Sequence, residues 1–99
     1  MNNLIWYRIN EDKEICNINV NSVQIGRLVV DKDIIDDGKW MCYFENFSYP
    51  QLFCFDYKMS EMHRIQNKEM AKKIITKQFG EIINRLHGFS TQILKEYLA

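Results

Sequence analysis

The chain has 99 residues, of which 46% are hydrophobic and 26% are charged, and it contains one proline. That length fits one domain with a modest core, and that composition excludes a disordered chain. Thirteen basic side chains balance thirteen acidic ones, which excludes a strong overall attraction to nucleic acid or to an anionic membrane. We therefore expect a single globular domain over residues 1–99.

The first third of the chain has the patterns of β-strands. Residues 4–9 are rich in aromatic and β-branched side chains and precede a charged turn, so they predict a first strand. Residues 16–20 alternate apolar and polar side chains with the period of two that is typical of a half-buried strand. Residues 21–22, an Asn-Ser pair, suit a tight reversal into a return strand over residues 23–30. Gly26 in that strand indicates a bulge or a point of close packing.

Two further strands are predicted after a charged connection at residues 31–39, which ends in a turn-forming Asp-Gly pair. Residues 40–47 form the next strand. Alternation divides its side chains between two faces, with Trp40, Cys42 and Phe44 on one and Met41, Tyr43 and Glu45 on the other. Residues 51–57 follow a break at Pro50 and form a fifth strand with an aromatic face. Because consecutive strands tend to pair, an antiparallel β-meander is the simplest sheet.

The apolar period changes to 3.6 residues from about Asn67 onward, which predicts a long amphipathic helix. Its apolar stripe comprises Ala71, Ile74, Ile75, Phe79, Ile82, Ile83 and Leu86. Asn67 suits the N-cap of this helix. Residues 59–66 fit three alternatives, a helical extension, a loop or an edge strand, and of these we favour a helix that starts at Ser60. Gly88 suits the end of this helix, and residues 93–98 form a short last helical turn. The fold class is therefore α+β, an antiparallel β-meander of four to five strands packed by one long C-terminal helix.

No residue pattern in the chain points to a metal site, a cofactor or a catalytic group. His63 and His87, the two histidines, are too far apart in sequence for a local metal motif. The aspartates of residues 31–37 lack the order of a calcium-binding EF-hand loop, so a solvated turn is the better interpretation. The scattered glycines form no phosphate-binding loop. We expect a protein without enzymatic activity and without a cofactor.

The three cysteines and the N-terminus predict a cytoplasmic protein. Cys16, Cys42 and Cys54 form no CxxC pair and lie in strand-like apolar runs, so we expect buried free thiols. A cysteine and a histidine could in principle form a nucleophilic pair, but no neighbouring sequence lowers a thiol pKa or fixes an imidazole. The first residues lack the basic region and the apolar run of a signal peptide, and no segment has the apolar length of a membrane span.

The predicted sheet offers one candidate surface for a partner. A single helix covers only one face of a meander, so side chains on the other face should stay partly exposed. Met41, Tyr43 and Glu45 lie on that other face and are the candidate partner-binding residues. The alternative is that the N-terminal strand or the last helical turn folds over them.

The predicted helix offers a second, basic surface. Residues 1–58 carry a net charge of −3 and residues 59–99 a net charge of +3. The candidate nucleic-acid-binding residues of the helix are Lys68, Lys72, Lys73 and Lys77. Neighbouring glutamates dilute this charge and the sequence pattern of an RNA-recognition sheet is missing, so a salt-bridged surface is the simpler interpretation.

The segments VNSVQIGRLVVD (residues 20–31) and DGKWMCYF (residues 37–44), followed by a C-terminal amphipathic helix, resemble those of small phage-encoded accessory proteins. The resemblance carries no functional residue across. It implies a non-enzymatic protein-binding module in the host cytoplasm, an inhibitor of a host or bacterial-defence protein, with anti-CRISPR proteins among the relatives. A homodimer, joined through the uncovered sheet face or an edge strand, is compatible with it. A small nucleic-acid-binding protein and a small enzyme using cysteine and histidine remain the alternatives.

Overall fold

The structure, a computed structural model, describes residues 4–20, 22–34, 36–48 and 62–89, with Val20 and residues 86–89 described by their backbone alone. These residues form four strands and one long helix: β1 (Trp6–Asn10), β2 (Lys13–Val20), β3 (Val23–Lys32), β4 (Trp40–Glu45) and α1 (Lys68–Phe89). The strands form one antiparallel sheet in the order β1-β2-β3-β4. The expected α+β fold, a β-meander packed by a C-terminal helix, is confirmed.

The turns of the meander form where the sequence supplies residues that tolerate a positive φ. Ser22, between β2 and β3, has a φ of 67°, and Gly38, before β4, has a φ of 85°. Both positions were predicted as reversals, because Ser can bond to the local backbone and Gly has no Cβ to clash. The peptide N–H of Asp33 donates to the carbonyl oxygen of Lys39 at 3.0 Å, which closes the connection between β3 and β4.

Gly26 is a point of close packing, as its sequence position indicated. A Cβ atom at this residue would lie 2.4 Å from ring atoms of Phe47. The ring of Phe47 therefore occupies the space that a side chain would take, and the pairing with β2 shifts register next to this point, between Ile18 and Asn19.

The core lies between one face of the sheet and α1. The register places Cys16, Leu28 and Phe44 in one row across β2, β3 and β4, on the face that the helix covers. The helix contributes Ala71, Ile75, Phe79 and Ile82, all of them buried. The predicted apolar stripe of α1 thus packs against the predicted inward side of β4, because both periodicities mark the same interface.

The helix α1 begins at Lys68, so the start at Ser60 that we favoured is wrong. Asn67 is the N-cap, because its side-chain oxygen accepts the peptide N–H of Met70 at 2.8 Å. Just before it, Arg64 has a positive φ of 59°, and Ile65 forms an isolated antiparallel bridge with Trp40. A residue in the left-handed region and a bridge to β4 both interrupt a helix, so Met62, which is helical, is not continuous with α1. At the other end α1 includes Gly88 and runs to Phe89.

Three expectations lie outside the described residues. They are the fifth strand at residues 51–57, the last helical turn at residues 93–98 and the environment of Cys54. Within the described residues, no helix has the length and the apolar character that a membrane crossing needs.

Candidate functional site

The face of the sheet opposite α1, here named the outer face, has an apolar row across all four strands. The register places Tyr7, Ile15, Val29 and Tyr43 directly beside one another on β1 to β4. Ile15 and Val29 are buried, Tyr43 is half-buried and Tyr7 is exposed. The apolar surface of the outer face is therefore accessible mainly at its β1 end.

The β1 end of the outer face carries three large exposed apolar side chains. Ile5, Tyr7 and Ile9 are 61%, 52% and 53% exposed. Ile5 directly precedes β1 and alternates with Tyr7, whereas Ile9 lies at the register shift between Arg8 and Asn10. We name these three residues the β1 strip. Soluble domains rarely expose contiguous apolar side chains of this size without using them. The sequence did contain the signal, because residues 5, 7 and 9 alternate along a first strand that becomes an edge in any meander.

The predicted partner-binding residues Met41, Tyr43 and Glu45 lie together on the outer face of β4, and all three are half-buried. The hydroxyl of Tyr43 donates to Oδ2 of Asp31 at 3.4 Å. Oε1 of Glu45 lies 2.6 Å from Nε of Arg27, in an ion pair across β3 and β4. Two of the three side chains are thus held in fixed positions by neighbours on the sheet, and their role in binding a partner stays a prediction.

The environment of Tyr43 keeps its hydroxyl protonated. Burial, the nearby charges of Asp31 and Glu45, and the hydrogen bond to Asp31 raise its pKa to about 12, while Arg27 acts in the opposite direction. The neutral phenol is therefore the hydrogen-bond donor to Asp31 at physiological pH. It presents a rigid aromatic ring at the β4 end of the outer face.

The four lysines predicted as a nucleic-acid surface do not form one surface. Lys73 and Lys77 are exposed on the side of α1 away from the sheet. Lys68 and Lys72 turn towards the sheet, where their Nζ atoms lie 2.7 and 2.6 Å from the two carboxylate oxygens of Glu14. The basic face is split, because α1 packs over β3 and β4 and the side chains of its first turns reach the buried carboxylate of Glu14 on β2.

Glu14 is the centre of a charge cluster that the sequence analysis missed. Its side chain is only 7% exposed although it is ionisable. Burial raises the pKa of Glu14, but the hydrogen bonds and charges of Lys68 and Lys72 outweigh burial and leave the pKa below its usual range. Each lysine also lies over an indole ring, Lys68 over Trp40 and Lys72 over Trp6, at 5.7 and 5.6 Å from the ring centroids. No local sequence pattern predicted this contact, because Glu14 is distant in sequence from both lysines.

His63 forms a pair with Asp33 that resembles the base and the carboxylate of a catalytic triad. Its Nδ1 lies 3.2 Å from Oδ1 of Asp33, and the peptide N–H of Arg64 donates to Oδ2 of the same buried carboxylate. Acyl-transfer chemistry would also need a nucleophile in reach of the imidazole. Among the described residues, no hydrogen bond joins His63 to Cys16 or to Cys42. The pair instead anchors the segment before α1 to the end of β3.

The described cysteines are buried and free, as predicted. Burial raises the pKa of Cys16, and it raises the pKa of Cys42 to about 12. Both thiols are therefore protonated at physiological pH, and neither is an activated nucleophile. No group of three His, Cys, Asp or Glu side chains in the described part of the chain could hold a metal ion.

Comparison of the chain with protein-family models, with curated proteins and with solved structures gave no match.

Proposed function

We propose that this protein is a non-enzymatic protein-binding module that contacts its target through the outer face of the sheet. One observation carries the proposal: the β1 strip exposes three large apolar side chains, each more than half accessible. The half-buried Tyr43 lies on the opposite edge strand of the sheet that the structure describes. Aromatic and aliphatic side chains of this kind supply most of the binding energy in protein interfaces.

The polar surroundings of the outer face suit an interface. Asp31 and the ion pair of Arg27 with Glu45 flank the apolar row on β3 and β4. The central residues of the row, Ile15 and Val29, are buried, so the accessible apolar part of the outer face is the β1 strip. Polar groups on the same face as an accessible apolar patch are usual in a transient interface. The hydrogen bond that fixes the Tyr43 hydroxyl reduces the entropy that this side chain would lose on binding.

The proposed target is a host or bacterial-defence protein, and the resemblance to small phage-encoded accessory proteins supports it. An inhibitor of this kind acts by covering a functional surface of its target, so it requires a contact surface and no catalytic group. The protonated buried thiols and the structural use of His63 agree with that mode of action. Binding would take place in the cytoplasm of the host.

Nucleic-acid binding is the weaker proposal. Phosphate contacts need several cations on one continuous surface. Two of the four candidate lysines, Lys68 and Lys72, are bound to Glu14 and lie over tryptophan rings, so Lys73 and Lys77 alone extend into solvent. Two isolated cations, with Glu69 between the helix start and Lys73, provide little attraction to a polyanion.

Site-specific photo-crosslinking tests the proposed function. A photoreactive phenylalanine analogue replaces Tyr7 or Tyr43 on the outer face, and in the matched control it replaces Lys77 on the exposed side of α1. Each protein is irradiated in a nuclease-treated bacterial lysate, and the adducts are identified by mass spectrometry. We expect the same single protein, other than a second copy of this chain, to be captured from both outer-face positions and not from Lys77.

Binding of the captured protein is then measured with purified components. Met41→Lys places a charge on the outer face of β4, which two strands separate from β1, and we expect it to weaken the complex by about tenfold or more. Lys77→Glu should leave the affinity unchanged. Equal capture from all three photo-crosslinking positions, or a complex insensitive to Met41→Lys, would contradict the proposal. In a parallel pull-down from a lysate without nuclease, retention of nucleic acid that is lost at high salt would favour the alternative instead.

A further inference from the structure

The outer edge of β1 has the features of a site for strand addition. Among the described residues, β1 pairs with β2 alone, so its other edge presents peptide N–H and C=O groups that no described strand uses. Four of its five residues are exposed. Proteins usually protect such an edge with lysine, proline, a β-bulge or inward-pointing charge. In β1 the charge of Arg8 and the register shift before Asn10 both lie in its C-terminal half, which leaves Trp6 and Tyr7 without such protection.

The sequence of β1 is complementary to itself in one antiparallel register. Residues that stand directly opposite one another in an antiparallel pair lie on the same face of the sheet, so the two-fold axis of a β1–β1 pair must pass through a residue. With the axis at Tyr7, the two Tyr7 rings meet and Ile5 stands opposite Ile9 of the second copy. On the other face Trp6 stands opposite Arg8 of the second copy, which is a cation–π combination.

The neighbouring registers lack this complementarity. An axis at Arg8 places two guanidinium groups directly opposite one another, and like charges in that position destabilise a sheet. An axis at Ile9 centres the pairing on the register shift that β1 shows between Arg8 and Asn10, where the strand is irregular. An axis at Trp6 removes Ile9 from the contact and leaves Arg8 without the indole ring. The charge and the apolar pattern therefore select the axis at Tyr7.

We propose that β1 pairs with β1 of a second copy of this chain, antiparallel and with Tyr7 on the two-fold axis. The pairing joins the two four-stranded sheets into one continuous sheet. Since the faces are preserved across an antiparallel pair, both α1 helices lie on one side and both outer faces on the other. The two β1 strips become one apolar surface that spans the axis, so the dimer presents two adjacent copies of the outer face.

Cysteine cross-linking on the purified protein tests the register. Directly opposite Cβ atoms are about 4.5–5.5 Å apart, whereas the two Ile5 positions in the dimer are separated by about 13 Å along the strands. A mixture of Ile5→Cys and Ile9→Cys chains should therefore form the mixed disulfide under mild oxidation, and Tyr7→Cys should cross-link with itself. Neither Ile5→Cys nor Ile9→Cys alone should cross-link, and the unsubstituted chain controls for the native cysteines.

Analytical ultracentrifugation tests the dimer without any cysteine. We expect the unsubstituted chain to reach twice the mass of one chain, and Tyr7→Lys to weaken self-association by about tenfold or more, because two lysines then meet on the axis. The control is Ile34→Lys, at an apolar residue that is 85% exposed but lies outside β1. Circular dichroism checks that both variants are folded.

A chain that remains monomeric at every concentration would overturn the dimer, and self-cross-linking of Arg8→Cys in preference to Tyr7→Cys would overturn the register. An equal effect of Ile34→Lys and Tyr7→Lys would also overturn the dimer. These measurements use the purified protein alone and are independent of the target. Met41→Lys should leave the dimer intact, so failure of the proposed function and failure of the dimer are distinguishable.

Discussion

The ring of Phe47 lies directly over the Cα atom of Gly26, in the space where any other residue would have its Cβ atom. The ring also makes an edge-to-face contact with Phe44, at 5.7 Å between centroids, and a tilted contact with Phe79 of α1. Gly26 is thus the place where the sheet, the segment after β4 and the helix meet.

Gly26→Ala should destabilise the fold because the added methyl group must displace the ring of Phe47, which is itself buried in the core. We expect a loss of about 2 kcal/mol in the free energy of unfolding, in the usual range for overpacking. Urea denaturation measures it. Gly80→Ala is the matched control, because a Cβ atom there meets no atom within 4 Å, and it should stabilise α1 by about 0.5–1 kcal/mol. If Gly26→Ala leaves the free energy of unfolding unchanged, the ring of Phe47 does not require the space beside Gly26.

The charge cluster at Glu14 should make stability depend on pH in the acid range. The folded-state pKa of Glu14 lies below its usual value, so its contribution is present above the unfolded pKa and is lost as the pH falls through the folded pKa. Glu14→Gln removes this dependence and leaves two lysines without their carboxylate, which should cost about 1–3 kcal/mol at neutral pH.

Thermal denaturation between neutral and acidic pH measures the effect of Glu14→Gln. The control is Glu69→Gln, since that carboxylate is mostly exposed and its Oε1 lies 3.5 Å from Nζ of Lys72, farther than the oxygens of Glu14. It should change the stability by less than about 0.5 kcal/mol. If the two variants lose stability equally, or if Glu14→Gln keeps the acid dependence of the unsubstituted chain, the cluster is not its source.

Gln78 lies on the buried side of α1 and is fully inaccessible, yet neither atom of its amide has a hydrogen-bond partner among the described residues. An amide buried in that way costs free energy because its bonds to water are lost without replacement. Gln78→Met keeps the shape and removes the polar atoms, so we expect it to stabilise the fold by about 1 kcal/mol.

Urea denaturation of Gln78→Met should show a higher midpoint with an unchanged slope. Gln24→Met, at an exposed position of β3, serves as a control for the general effect of the substitution. A lower midpoint for Gln78→Met would mean that the amide makes a bond that stabilises the folded chain.

Local patterns predicted the elements well where one periodicity dominates. Alternation along residues 40–45 correctly assigned Cys42 to the core and Tyr43 to the opposite face. The 3.6-residue stripe correctly identified Ala71 as part of the buried side of α1. The start of α1 was predicted wrongly because the bridge between Ile65 and Trp40 joins residues far apart in sequence, and no local pattern reports such a contact.

The candidate surfaces were predicted less completely. Alternation placed Met41, Tyr43 and Glu45 on the outer face, and they lie there. The alternation of residues 5, 7 and 9 was present in the sequence, but the exposed fractions of these side chains depend on what packs beside β1 in the folded chain. The four lysines were grouped by their proximity in sequence, whereas the direction of each on the helix separates Lys68 and Lys72 from the other two.

The strand and helix periods, the turns at Ser22 and Gly38, and the division of side chains between two faces were predictable from short stretches of the chain, since they follow from backbone geometry within a few residues. The position of α1 on the sheet, the contact of Glu14 with two lysines of α1, and the exposure of the β1 strip became known from the folded chain alone. Those features depend on packing between segments that are distant in the chain. Their energies are balanced over the whole domain rather than within any one segment.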